Sequence, residues 1–320
     1  MQRFQGFPYL LTGALTIIRS CGMILQKAKG TVKLQETVYR VTAPVQGGKC
    51  LALLTDLHDR APRHLLSSLE THRPDFILVA GDFLHGNTPE GDGLKMEQSP
   101  SLGLFRAFSA IAPTYVSLGN HEWMLCPEDF TLIAETGVHV LDNVFVKVDG
   151  LVLGGLTSGT VLRCRRGHKK EKGRYSFPHP YTRTSLYRQF FPSKREIDGN
   201  ALPDLTWLPD YLATSGFHVL LSHHPEYGPY PPVQLMERPI ELILSGHAHG
   251  GQIRYWSPRK RSWAGVFAPN QGLFPDFTGG IHEGRYGKLI ISRGLSNTGP
   301  VPRLFNPTEI VYVQLVESTI

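Results

Sequence analysis

The sequence predicts an α/β fold with largely parallel strand pairing in its middle. Three observations predict it. Five apolar runs lack the alternation of a half-exposed strand, so each suits a strand covered on both faces. Helical stretches separate the runs, and strand–helix alternation marks a parallel sheet. Each run ends in Asp, Asn or His, and in such sheets ligands bind beyond the carboxyl ends of the strands.

The first run, Cys50-Leu51-Ala52-Leu53-Leu54-Thr55, leads into Asp56-Leu57-His58. A helix follows over about Pro62 to His72. Asp75-Phe76-Ile77-Leu78-Val79-Ala80 leads into Gly81-Asp82, and a helix over Leu102 to Ile111 follows. Pro113-Thr114-Tyr115-Val116-Ser117-Leu118 leads into Gly119-Asn120-His121-Glu122, then a helix over Pro127 to Thr136. After the strand Leu151 to Gly155 and a helix over Pro203 to Thr214, Phe217 to Ser222 leads into His223-His224-Pro225. The last run, Ile240 to Ser245, leads into Gly246-His247-Ala248-His249-Gly250-Gly251-Gln252. Glycines there free the backbone to turn sharply and put two imidazoles on one centre.

Composition sets the bounds. A chain of 320 residues buries a full core as one large domain or two smaller ones. Lys and Arg exceed Asp and Glu by 33 to 27, a net charge of +6 that favours anionic partners. The four cysteines, Cys21, Cys50, Cys126 and Cys164, form no Cys-x-x-Cys pair and read as free thiols in a reducing compartment. Leu10 to Leu25 is apolar but interrupted by Arg19 and shorter than a membrane span. It reads as a helix packed on the body or, with Lys27, Lys29 and Lys33, as a peripheral membrane anchor. The protein is therefore expected in the cytoplasm or on a membrane surface.

The groups at the strand ends that can bind metal are Asp56, His58, Asp82, Asn120, His223, His247 and His249. Carboxylate and imidazole without thiolate suit Zn²⁺, Fe or Mn²⁺ in a reactive rather than a structural site. This set is too large for one ion and about right for two, with one carboxylate bridging. Two ions about 3.5–4 Å apart, with a bridging hydroxide, are built for in-line displacement at phosphorus.

Asp-x-His, Gly-Asp, Gly-Asn-His-Glu, His-x-Pro and Gly-His-x-His, in this order, resemble the calcineurin-like metallophosphoesterase superfamily over residues 45 to 320. Gly-His-Ala-His-Gly-Gly-Gln and the tail segments Ile291 to Leu295, Pro302-Arg303 and Pro307 to Ile310 resemble its YkuE-type phosphoesterase branch. The resemblance implies a two-sheet sandwich with mixed sheets flanked by helices; residues 1–44 before it read as a helical or extended segment. It implies that Asp56, His58, Asp82 and His249 hold one metal, and Asp82, Asn120, His223 and His247 the other. His121 is then the unligated histidine that assists the leaving oxygen, and His224 a supporting or substrate contact.

The chain departs from the family pattern in three places. Many members carry Gly-Asp-x-x-Asp, whose last aspartate orients the catalytic histidine. Here His85 stands there, which predicts a less basic and less constrained His121. Gly-Asp-x-x-His also resembles the double-strand-break-repair nucleases. His85 is thus a hydrogen-bond partner, a phosphate contact or a loop histidine without a role. Residues 86 to 100 form a long polar loop, either a flap or padding. Residues 157 to 200 read as an irregular insertion carrying Arg163, Arg165, Arg166, Lys169, Lys170, Lys172 and Arg174, followed by aromatics. It suits a phosphate- and base-contacting lid, an anionic membrane seat or a solvated charge run. Trp256 and Trp263 beside Arg254, Arg259, Lys260 and Arg261 shape a substrate rim or simply pack on the surface.

The leading expectation is a dinuclear phosphodiesterase or phosphomonoesterase acting on a lipid headgroup, an envelope phosphodiester or a nucleotide. A nuclease on the same centre, with the basic insertion as its groove, is the second. A non-catalytic binding module is the third; the full ligand set argues against it.

Overall fold

Along the central strands, successive residues face two different cores. In β2 (Lys49–Leu54), Leu51 and Leu53 join one apolar cluster while Ala52 and Leu54 join another. In β3 (Phe76–Ala80), Phe76, Leu78 and Ala80 face the first and Ile77 and Val79 the second. That is why the runs are apolar without a break. The computed structural model describes residues 34–85, 96–167, 169–171, 174–176, 197, 201–233, 235, 238–259, 261–297 and 302–317. The apolar stretch at Leu10 to Leu25, Cys21, the middle of the polar loop, Lys172 and the aromatics of the insertion after Tyr175 lie outside these residues.

Two six-stranded sheets carry the fold. The first orders β1 (Gln35–Ala43), β18 (Glu309–Glu317), β2, β3, β4 (Thr114–Ser117) and β5 (His139–Val140). β2 to β5 run parallel, β18 runs antiparallel to β2, and β1 runs parallel to β18. The second orders β16 (Gly280–Gly284), β17 (Gly287–Ile291), β11 (Ile240–Ser245), β10 (Phe217–Ser222), β7 (Leu151–Leu156) and β6 (Val144–Val148). Its middle is parallel, and β16 and β6 close the edges antiparallel.

The sheets stack through Leu51, Leu53, Leu78, Leu153, Val219, Leu221, Leu242 and Leu244. Helices cover the outer faces. α1 (Leu65–His72) and α2 (Pro100–Ile111) set Leu65, Leu69, Leu102, Phe105 and Phe108 against the first sheet. Ser99 caps α2 by accepting the Ser101 N–H at 3.1 Å. α3 (Pro127–Ala134) begins with proline at its first position and Asp129 accepting the Cys126 N–H at 2.9 Å. α5 (Leu208–Ala213) sets Leu208 and Tyr211 against the second sheet. The α/β sandwich expected from the sequence is the fold observed.

Two differences from the sequence reading matter. The segment after β7 is not irregular at its start: Gly159–Gly167 forms α4, and β8 (Lys169–Glu171) pairs with β9 (Arg174–Ser176). Some of its cations are already committed. Arg165 pairs with Asp142 and lies over the Phe130 ring at 5.2 Å, and Lys170 reaches Glu128 at 3.4 Å. The second difference is a pair of hairpins after β11: β12 (Arg254–Ser257) with β13 (Ser262–Gly265), and β14 (Phe267–Ala268) with β15 (Gly272–Leu273). Cys50, Cys126 and Cys164 are free thiols, as expected.

Candidate metal centre

The parallel strands of both sheets end at one place, and the residues that follow them turn abruptly. Asp56 follows β2, Asp82 follows β3, Asn120 follows β4, His223 follows β10, and His247 and His249 follow β11. Asp56, His58, Asp82, His247 and His249 all have positive φ, between 46° and 66°. Non-glycine residues rarely adopt this conformation, and its clustering marks a site where the surrounding structure over-determines the backbone. Gly246 makes close approach feasible: a Cβ there would lie 2.6 Å from Asp56 Oδ2.

The side chains converge in two triads whose ligand atoms lie within 4.8 Å of one another: Asp56, His58 and His249, and Asp82, His223 and His247. His249 Nε2 is 3.4 Å and His58 Nε2 3.9 Å from Asp56 Oδ1. Asp82 Oδ2 stands between the triads, 4.0 Å from His58 Nε2 and 3.0 Å from His223 Nε2. Asn120 is buried in the short 3₁₀ turn Asn120–Met124 beside them.

Backbone carbonyls fix the imidazoles. His58 Nδ1 donates to the Leu84 carbonyl at 3.0 Å and His223 Nδ1 to the Ala80 carbonyl at 2.8 Å. Each leaves Nε2 facing the carboxylates, the arrangement that prepares a histidine for metal. His58 Nε2 is buried without a hydrogen-bond partner among the described residues. His249 Nδ1 lies 3.3 Å from the Ser296 carbonyl and 3.2 Å from Arg303 Nη2. Asn270 Nδ2 reaches His247 Nε2 at 3.2 Å.

The electrostatics agree with this preparation. Burial and the neighbouring His121 hold His58 well below the ordinary imidazole range. Burial and His224 do the same to His247, and burial lowers His249. All three therefore offer lone pairs at neutral pH. Burial also opposes charge on His223, but Asp82 more than offsets it and lifts the pKa to about 10. A buried, partnerless imidazole nitrogen, neutral histidines and two carboxylates fit divalent cations and fit little else.

His121 is half-buried with Nε2 at 3.8 Å from Asp82 Oδ2. Its backbone N–H donates to Asp82 Oδ1 at 2.9 Å. The sequence reading expected a looser His121 because His85 replaces an aspartate. The structure corrects this: the His85 backbone carbonyl accepts from His121 Nδ1 at 2.7 Å. Asp59 in turn accepts the His85 N–H at 2.8 Å and fixes that carbonyl. The His85 ring stands at the edge of the cluster, 6.4 Å from the His58 ring. His224 is buried behind His247, ring centroids 4.2 Å apart, and exchanges a hydrogen bond with Ser158 Oγ at 2.9 Å.

Sequence reasoning missed the supports. Glu122 accepts the N–H groups of Gly119, Asp82 and Leu84 at 2.7, 2.9 and 3.0 Å, joining the ends of β3 and β4. Burial and the nearby Asp82 push its pKa up to about 8. Its place in Gly-Asn-His-Glu was the available signal. Arg303 donates to the carbonyls of Arg293 and Ser296 and ties the C-terminal segment to His249. Glu226 accepts from Gln271 Nε2 at 2.8 Å. Neither contact has a spacing readable in a sequence.

Two carboxylates and four histidines gather at the ends of parallel strands, in a two-sheet sandwich, as a cluster that could hold metal ions. Residues 51–251 match the model of the calcineurin-like phosphoesterase family, and the chain belongs to that family. It is 26% identical over 274 residues to an uncharacterized metallophosphoesterase of Campylobacter jejuni, covering 83% of this chain and 58% of that protein. An uncharacterized metallophosphoesterase of Aquifex aeolicus is 24% identical, covering 77% and 74% of the two chains. The uncharacterized metallophosphoesterase YkoQ of Bacillus subtilis is 22% identical and covers 82% of each. The chain thus spans little more than half the length of the Campylobacter relative.

Proposed function

We propose that the protein is a dinuclear metal-dependent phosphoesterase, and most specifically a phosphodiesterase. The observation that carries this reading is Asp82 Oδ2, within 4.0 Å of His58 Nε2 and 3.0 Å of His223 Nε2, one from each triad. Asp56, His58 and His249 would hold one ion; His223, Asn120 and His247 would hold the other, with Asp82 shared. Two divalent ions so held would supply charge neutralisation for the phosphoryl oxygens and an acidified water for in-line attack.

The chain's own residues do the rest. Carbonyls of Leu84 and Ala80 keep the histidine Nδ1 protons outward and the lone pairs inward. His121, held at Nδ1 by His85, turns Nε2 toward the centre and there gives a proton to the departing oxygen. His85 lies at the mouth as a phosphate contact, and His224 positions His247. The substrate is a phosphate ester of lipid, envelope or nucleotide type.

The test is hydrolysis of bis(p-nitrophenyl) phosphate by metal-stripped protein reloaded with Mn²⁺, Fe²⁺ or Zn²⁺, with metal counted by mass spectrometry. Two ions per chain and turnover are expected. Asp82→Asn should retain fewer ions and lose at least about 100-fold in kcat. A single bound ion with full activity would sink the dinuclear reading.

A further inference from the structure

The direction of His121 Nε2 depends on the acceptor at the other ring nitrogen. That acceptor is the His85 carbonyl, 2.7 Å from Nδ1. A loop carbonyl is only as well placed as the peptides that lead to it. Glu122 accepts the Leu84 N–H at 3.0 Å. The next peptide, between Leu84 and His85, is gripped on both edges by two consecutive residues. His58 Nδ1 donates to its carbonyl at 3.0 Å, and Asp59 Oδ2 accepts its N–H at 2.8 Å. Hydrogen bonds at both ends of one amide polarise it and strengthen each other.

Asp59 is itself held in place. Its N–H donates to the Phe83 carbonyl at 2.8 Å. Its φ is 59°, a left-handed conformation that aspartate tolerates better than most residues. Oδ1 accepts the hydroxyls of Ser99 and Ser101, the latter at 2.9 Å. Both serines are buried at the start of α2, where negative charge is favoured. One oxygen of the carboxylate therefore faces the scaffold. The other acts on residue 85 and adds nothing to the start of α2.

We propose that Asp59 is the positioning residue for His121, acting through the peptide between Leu84 and His85. The proposal rests on the reading of His121 as the group that gives the departing oxygen its proton. Asp59 sets the His85 carbonyl, and that carbonyl sets the direction of Nε2. General-acid help is worth about 10²–10⁴-fold and matters most for a leaving group that departs poorly without a proton. Loss of Asp59 should therefore be selective. Esters of poor leaving groups should suffer and those of good ones be spared, whereas loss of a merely structural carboxylate would lower both alike.

Two readouts test this, and the first needs no turnover. In NMR spectra of the isotope-labelled full chain, the His121 Nδ1–H proton is identified by its disappearance in His121→Ala. It should exchange slowly with water in the wild type and in Asp59→Asn, whose Oδ1 still accepts from His85. In Asp59→Ala it should exchange at least about tenfold faster, the effect of losing one such hydrogen bond.

The second readout is kinetic, on protein reloaded with Mn²⁺. Asp59→Ala should lose at least about tenfold in kcat on diphenyl phosphate but less than about threefold on bis(p-nitrophenyl) phosphate, whose leaving group needs little help from a proton. Asp59→Asn should restore most of that loss. In the His121→Ala background, Asp59→Ala should cost nothing further. An unchanged Nδ1–H exchange rate would overturn the proposal. So would equal losses on the two esters, a further loss in the His121→Ala background, or fewer bound ions in Asp59→Ala. His121→Ala by itself tests the acid reading. If it loses no more on diphenyl phosphate than on the nitrophenyl ester, that reading falls and takes the proposal with it. If it shows the selective loss and Asp59→Ala does not, the proposal alone falls.

Discussion

Glu226 shows how far the site's surroundings bend ordinary chemistry. Its carboxyl is wholly buried, and burial pushes its pKa up to about 7 against a Gln271 N–H that favours the charge. The folded pKa lies above the unfolded one near 4.5, so the folded state binds the proton more tightly. That contribution is complete below about pH 4.5 and is lost as pH rises to 7. Its full size is about 3 kcal/mol. Glu226→Gln keeps the shape and the Gln271 contact but has no proton to lose. Urea unfolding should show the variant nearly equal to wild type at pH 5 and more stable than it at pH 8. A stability difference independent of pH would show that Glu226 is not the titrating group.

At the scale of the element, the strand ends were legible and their supports were not. β10 and β11 have the bounds that their apolar runs imply, because strands covered on both faces need unbroken hydrophobicity. Asp56, His58, Asp82, His223, His247 and His249, singled out at those ends in the sequence, come together in the structure as groups that could hold metal. The β12–β13 hairpin was not, because its residues pair locally and alternate weakly. The carbonyl of His85 was invisible for a different reason: any residue type supplies a backbone acceptor. Glu122 lies between these cases. Three N–H donors from the ends of β3 and β4 depend on its carboxylate. Glu122→Gln leaves at least one of them facing an amide N–H₂. Each lost partner costs about 1–3 kcal/mol. The variant should show a lower urea midpoint and weaker metal retention by equilibrium dialysis, although no ligand has been removed. Unchanged retention would mean that the sheet alone sets the position of Asp82.

For the whole molecule, the two sheets meet along an apolar interface and again at the metal centre. Asp56, Asp82 and Asn120 come from the first sheet; His223, His247 and His249 come from the second. Each triad contains residues of both: Asp56 and His58 with His249, Asp82 with His223 and His247. Ions held there would staple the sheets at the edge where these loops take positive φ, while Leu53, Leu78, Leu221 and Leu244 join them deeper in. Ligand that binds only the folded chain stabilises it by about 2.7 kcal/mol at a hundredfold excess over Kd. Chelation should therefore lower the unfolding temperature and, in hydrogen exchange, release protection first at 56–59, 119–124 and 246–251. β2, β3, β10 and β11 should keep theirs, because their hydrogen bonds lie within sheets buried on both faces. Leu53→Ala should behave in the opposite way. It removes a buried side chain of the inter-sheet core, costs about 2–5 kcal/mol, and leaves metal stoichiometry unchanged. If chelation instead exposed the strands as readily as the loops, the metals would be part of the core that holds the sheets together rather than a clasp at its edge.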